Sequence, residues 1–141
     1  MIKRSLLLSL LLAATAAQAQ DKAAAQPDMA KAKQTAEQVC AACHGRGVPR
    51  APQLGDRRQW ARLIREGQAA LTAQAWVGIR GMPPQGGRAD LSLESFAGGV
   101  AYMAQRAGAD WQPPDPALLE RIESEVRKRE ARLKARGGKA D

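Results

Sequence analysis

The stretch QVCAACHGRGVPRAPQLGD, residues 38–56, contains both cysteines and the single histidine of the chain, as Cys40, Cys43 and His44. A 141-residue protein with these ligands crowded into one segment must either pair them with each other or complete their chemistry with something from outside. Which of the two holds depends first on the compartment, because thiols meet different fates in reducing and oxidising surroundings.

The N-terminus decides the compartment. Met1–Arg4 is a short basic start, Ser5–Ala17 is apolar apart from its hydroxyls, and Ala17-Gln18-Ala19 fits a small-x-small cleavage site. This pattern predicts a secretory signal peptide over residues 1–19, with Gln20 as the first mature residue and the periplasm as destination in a bacterium. A retained membrane anchor would need about 20 apolar residues, and the run here is about 13. Cleavage removes Lys3 and Arg4, two of the eight net positive charges. The remaining excess is local, with eight arginines between residues 40 and 90 against Asp56, Glu66 and Asp90. Aromatic residues make up 4% of the chain and do not interleave with the arginines, so no nucleic-acid groove is expected.

Outward from residues 38–56 the sequence reads as all-α. Residues 20–27 are rich in alanine and glutamine and predict a flexible N-terminus. Asp28 offers an N-cap for a helix running into the cysteines. Residues 45–56 hold three glycines and two prolines and must form a loop. Two short helices follow, one carrying Trp60, Leu63 and Ile64 and stopped by Gly67, the other carrying Leu71, Ala75, Trp76 and Ile79. Pro83, Pro84, Gly86 and Gly87 predict a second loop, and Ser92 a cap for a helix with Leu93, Phe96, Val100 and Met103 on one face. The expected organisation is a domain over residues 28–110 and a charged helical tail over 111–141. With one Phe, one Tyr and three Trp, the polypeptide alone would bury a small core. A large apolar cofactor would fill it.

Three chemistries compete for Cys40, Cys43 and His44. A disulfide across Cys-x-x-Cys closes a very short loop and stabilises little. A redox disulfide belongs after a strand in a βαβ setting, which is missing here. Structural zinc needs four ligands, and no further Cys or His exists to close the shell. Covalent haem attachment uses every member of the group: two thiols meet the two vinyl groups, and the histidine, on one helix face with Cys40, reaches the iron. The sixth iron position has no second histidine available. The mature candidates are Met29, Met82 and Met103; the first and last fall where helix packing explains them, whereas Met82 lies in the proline-stiffened loop IRGMPPQGG. A His/Met iron is an electron-transfer iron, with no vacant position for ligand chemistry and no catalytic constellation beside it.

The series CAACHGRGVPRAPQLGD, Trp60, GIRGMPPQGGRADLSLESF and AYM resembles class I c-type cytochromes, and most closely the short bacterial cytochrome c5 branch, over about residues 28–107. The resemblance implies an all-α fold of about four helices around one covalently attached haem c, with the terminal helices crossing. It implies Cys40 and Cys43 as thioether sites, His44 as proximal ligand and Met82 as distal ligand. It places Pro52, with Pro49 as competitor, where a backbone carbonyl orients the proximal imidazole. Trp60 and Trp76 would pack the haem or the core, and Tyr102 would join the terminal-helix contact. Two departures stand out. Gly87 and Arg88 occupy the region where the c5 branch often begins an additional cysteine pair, and the tail is extra.

The tail reads as a helix with Leu118, Leu119, Ile122 and Val126 in a stripe, supported by Glu123–Arg127 and Glu125–Arg129 pairs. It is expected either to lie solvated on the domain or to dock an acidic partner or an anionic membrane. Arg46, Arg50, Arg57, Arg58, Arg80 and Arg88 are expected in or beside the two loops flanking the haem edge, where a basic rim would steer acidic redox partners. The sequence thus points to a periplasmic monohaem carrier of single electrons, monomeric or within a complex. The alternatives are a cytochrome subunit of a larger oxidoreductase and, requiring Met82 off the iron, a haem enzyme or gas sensor.

Overall fold

The computed structural model describes residues 28–45 and 47–137. The residues expected to form a signal peptide (1–19), the N-terminal segment 20–27 and Arg46 lie outside the described residues. Helix α1 (Met29–Thr35) starts where Asp28 Oδ1 accepts the backbone N–H groups of Ala30 and Lys31 at 2.9 and 3.1 Å. The chain continues without a break through a π-helical turn (Ala36–Cys40) into the single turn α2 (Ala41–His44). Helix α3 (Arg57–Arg65) is capped by Asp56, whose carboxylate accepts from Arg58 and Gln59. Helix α4 (Gln68–Val77) is bounded by Gly67 and Gly78, at φ 88° and 90°, conformations that release the chain from helix at either end. It ends two residues earlier than its apolar spacing suggests because Gly78 turns the chain. The second loop contains a short 3-10 turn (Pro84–Gly87). Helix α5 (Leu93–Arg106) starts at Ser92, whose Oγ accepts the Ser95 N–H at 3.2 Å, and α6 (Pro116–Ala135) starts with Asp115 accepting from Leu118.

The oldest constraint on helix packing, how closely two backbones can approach, fixes the crossing of α1 and α5. A Cβ on Gly98 would lie 3.3 Å from Ala32 Cβ, and one on Gly99 would lie 3.2 Å from Thr35 Cγ2 and 3.4 Å from Cys40 Sγ. Alanine and glycine therefore meet where larger residues could not. Phe96, Val100 and Met103 of α5 join Ala36, Cys40, Trp60 and Leu71 in the main apolar cluster, with half-buried Tyr102 against it.

The tail helix is docked along its first half. Ile122 is 0% exposed and Val126 8%, and both belong to a second cluster with Ala73 of α4 and Ala97 of α5. Leu118 packs against that cluster, while Leu119 lines a groove with Ala32 and Gly98. The Glu123–Arg127 pair forms at 3.8 Å. Glu125 instead reaches Lys128 at 2.8 Å, because Arg129 is half-buried with its Nε and Nη2 covered and without hydrogen-bond partners.

Gly98→Val tests the crossing. Forcing a branched side chain between α1, α5 and Pro113 is expected to cost about 1–3 kcal/mol of unfolding free energy, read from denaturant midpoints at unchanged m-value.

Candidate functional site

Cys40 ends the π-turn, and Cys43 and His44 lie in α2, so one helical rod carries all three to the wall of a single cavity of about 1040 Å³. Small-molecule sites usually measure about 300–1,000 Å³, so this cavity sits at the large end. Its lining is mainly apolar, from Leu63, Leu71, Phe96, Val100 and Met103, with Met82 contributed by the loop after α4. The thin core expected from the composition is thus a core built around a space.

His44 is buried, and its Nδ1 lies 2.8 Å from the Pro52 carbonyl oxygen. A carbonyl can only accept, so Nδ1 carries the proton and Nε2 is left as the lone-pair donor of the ring. Of the two prolines, Pro52 supplies this carbonyl. The Leu54 N–H also donates to the His44 carbonyl at 2.7 Å, so the loop folds back on α2 through both Pro52 and Leu54. The next carbonyl, Gln53, accepts from Trp60 Nε1 at 2.9 Å, while the Gln53 N–H donates to Gln59 Oε1. Two successive carbonyls therefore tie one loop to the imidazole and to α3. Gln53 and Gln59 were not singled out by the sequence, since neither carries a motif; only their spacing from Trp60 hints at them.

Met82 is held by backbone as well. The Ile79 N–H donates to the Met82 carbonyl at 3.1 Å and the Met82 N–H to the Ile79 carbonyl at 2.9 Å, closing a tight turn through Arg80 at φ 54°. Gly78 makes room for it: a Cβ there would lie 3.0 Å from the Pro84 ring and 3.1 Å from the Met82 carbonyl oxygen. Arg88 makes two hydrogen bonds to Asp90, at 2.9 and 2.8 Å, and holds that carboxyl down to about 2.

The other expected residues divide. Trp60 is buried and lines the cavity. Trp76 is not among the lining residues; it stands edge-on to Phe96, with centroids 5.4 Å apart, and Phe96 provides the wall. Met103 also lines the cavity, but from within the buried face of α5, and Met29 is half-buried at the start of α1. Of the anticipated arginines, Arg50 and Arg80 line the cavity and are joined by Arg62, whereas Arg57 lies against Gly108 and Arg88 is paired with Asp90.

The residues fit a porphyrin better than a bare ion. Among the described residues no three His, Cys, Asp or Glu converge as an ion site, and the two thiols are not bonded to each other. Burial, with a smaller contribution from Cys43, pushes the Cys40 thiol up to about 11 against a backbone hydrogen bond that lowers it. That environment disfavours a thiolate and suits an uncharged thioether. One imidazole, one thioether and two thiols around a large apolar space form the donor set of a covalently held haem.

Residues 27–103 match the family described as cytochrome c oxidase, cbb3-type, subunit III. The chain belongs to the class I c-type cytochromes. It is 38% identical over 80 residues to cytochrome c-555 of Chlorobaculum tepidum, covering 54% of this chain and 74% of that protein. It is 36% identical over 67 residues to cytochrome c5 of Azotobacter vinelandii, covering 46% and 81%. A chain in the crystal structure of an electron transfer complex of nitrite reductase with cytochrome c superposes with a TM-score of 0.52 at 36% identity, covering 55% of this chain and 94% of that one. The all-α cytochrome c fold, the single covalent haem c and the role of electron carrier rather than enzyme follow from this membership.

The glycine before the Met82 turn gives a test. Gly67→Ala meets only an unfavourable φ, with open space around its Cβ, whereas Gly78→Ala meets the same φ and the Pro84 ring. Gly78→Ala is expected to lose well over about 1 kcal/mol in denaturant unfolding, and Gly67→Ala clearly less.

Proposed function

We propose that Cys40 and Cys43 would carry the two thioether bonds, that His44 Nε2 and the Met82 sulfur would hold the haem iron, and that the protein is an exported, periplasmic one-electron carrier. The observation that supports this most directly is the His44 Nδ1 bond to Pro52, because it presents the other ring nitrogen of the chain's single histidine to a cavity that Met82 also lines. Bound haem supplies the one-electron couple. The chain fixes the tautomer and orientation of His44, holds Met82 by backbone hydrogen bonds, and surrounds the site with apolar side chains that keep water out. Residues 28–110 form the haem-binding unit in this reading and 111–141 an appended segment. Export rests on the sequence of residues 1–19, and no helix among the described residues is long and apolar enough to cross a membrane.

Arg50, Arg62 and Arg80 on the cavity rim, with Glu66 as the one acidic lining residue, favour partners with acidic docking surfaces. The partner class is a redox enzyme or carrier, as for the structural neighbour solved with nitrite reductase. A second reading, a subunit of a larger oxidoreductase, is favoured by the match to a family described as an oxidase subunit and by the additional helix α6. Co-purification of a stable complex from native membranes or periplasm would decide for the second. A lesser role for the basic C-terminal half of α6 is contact with an anionic membrane surface, read by sedimentation with anionic against neutral vesicles.

Visible spectra in both redox states test the site. The reduced wild type is expected to show a thioether-linked haem and not to bind carbon monoxide, and the ferric form a methionine-to-iron charge-transfer band. Met82→Ala is expected to lose that band, lower the potential and admit carbon monoxide; an unchanged band would remove Met82 from the iron. Electron transfer to an acidic partner is expected to slow as ionic strength rises, with Arg50→Glu plus Arg80→Glu about tenfold slower at low salt. A rate indifferent to both would remove the steering role.

A further inference from the structure

We infer that α6 is a positioning element for Met82 and that Ile122 is its anchor residue, an inference that rests on Met82 being the distal ligand. The family match ends at residue 103, so α6, starting at Pro116, is an addition to the shared domain. What it covers gives it a role. Helix α4 is apolar on two faces: Leu71, Ala75 and, just beyond the helix, Ile79 face the cavity, while Ala69, Ala73, Trp76 and Val77 pack in the cluster with Ile122 and Val126. A helix apolar on both sides must be covered on both sides. At ten residues α4 is also shorter than the roughly 12–15 at which an isolated helix becomes marginal, so packing must hold it. The Thr72 hydroxyl in its middle is buried without a partner, which increases that dependence.

The coupling to the ligand is short. Val77, in contact with the α6 cluster, is followed by Gly78 and then by Ile79, the residue whose two backbone hydrogen bonds hold Met82. Trp76 of the same helix end braces Phe96, which walls the cavity. His44 depends on different supports, namely the 45–56 loop and the α1–α5 crossing. Loosening α6 therefore releases one ligand and spares the other.

The test measures how readily exogenous imidazole displaces methionine from the ferric holoprotein. If Met82 leaves the iron in a minor open population, apparent imidazole affinity rises in proportion to that population. Ile122→Ala is expected to raise it about tenfold or more, and Val126→Ala, a smaller change in the same cluster, about threefold, with far-UV circular dichroism and haem attachment unchanged. Ile122→Val, which keeps a branched side chain in place, is expected to stay within about twofold of wild type. Asp28→Ala, which removes the α1 cap and its two hydrogen bonds without adding bulk against α6, is a destabilising change expected to stay within the same range. Three results overturn the inference: no rise in Ile122→Ala or, should that variant not fold, in Val126→Ala; an equal rise in Asp28→Ala; or no rescue by Ile122→Val. A wild-type ferric protein lacking the methionine-to-iron band overturns the ligand assignment itself, and is distinguishable because it appears before any variant is made.

Discussion

Everything in this structure is arranged around a space that the chain does not fill. A polypeptide with one phenylalanine, one tyrosine and three tryptophans cannot close a wide core on itself, and its helices are mostly short. What burial it achieves comes from lining the cavity of about 1040 Å³, from one close helix crossing and from the cluster that α6 closes over α4 and α5. The covalent haem is therefore structural as much as functional: bound in this cavity it would supply the apolar mass that the lining residues Leu71, Phe96, Val100 and Met103 need to be covered. Thioether bonds suit such a design, since a cofactor that forms the core cannot be allowed to dissociate.

Around that space, position is set by backbone atoms more than by side chains. The imidazole takes its tautomer from the Pro52 carbonyl, the adjacent Gln53 carbonyl ties the loop to Trp60, and Met82 is fixed by paired hydrogen bonds to Ile79. Proline and glycine determine where those atoms go. Pro49 and Pro52 limit the loop after His44, and Gly78 admits the Met82 turn against Pro84. A carrier benefits from this because ligands that barely move on changing charge state leave little to reorganise. The proposed ligands are rigid without needing a dense hydrogen-bond network of their own.

This division explains what the sequence disclosed. Cys40, Cys43, His44 and Met82 could be picked out because their chemistry is scarce in the chain, and two of the helix starts because Asp28 and Ser92 cap where periodicity begins, whereas the caps at Asp56 and Asp115 emerge only from the fold. Pro49 and Pro52 could not be separated, since the choice between two carbonyls depends on the path of the loop. Trp76 looks equivalent to Trp60 in sequence, yet it stands behind Phe96 while Trp60 lines the cavity. Gly98 and Gly99 appear as helix weaknesses until α1 is placed against them. Likewise Arg57 and Arg88 are indistinguishable from Arg50 and Arg80 by composition, and only the fold sorts the rim from the rest. Long-range packing, which one chain's periodicity does not specify, accounts for each of these.

The same reasoning applies to α6. Its stripe of Leu118, Ile122 and Val126 is narrow, as expected of a helix resting on a surface, and its second half is dominated by charge. Read alone, that profile fits a solvated appendage. What it cannot disclose is that α4 has a second apolar face needing cover, because Ala69, Ala73, Trp76 and Val77 are spread among residues that face the cavity. The two patterns explain each other. A helix with too much apolar surface and a helix with a single apolar stripe become complementary only when both are placed, and α4 then stands between the cofactor space on one side and an intrachain support on the other. The basic half of α6 extends beyond that contact, where Arg127 and Lys128 pair with Glu123 and Glu125 at the surface while Arg129 keeps its Nε and Nη2 covered, and none of these side chains lines the cavity.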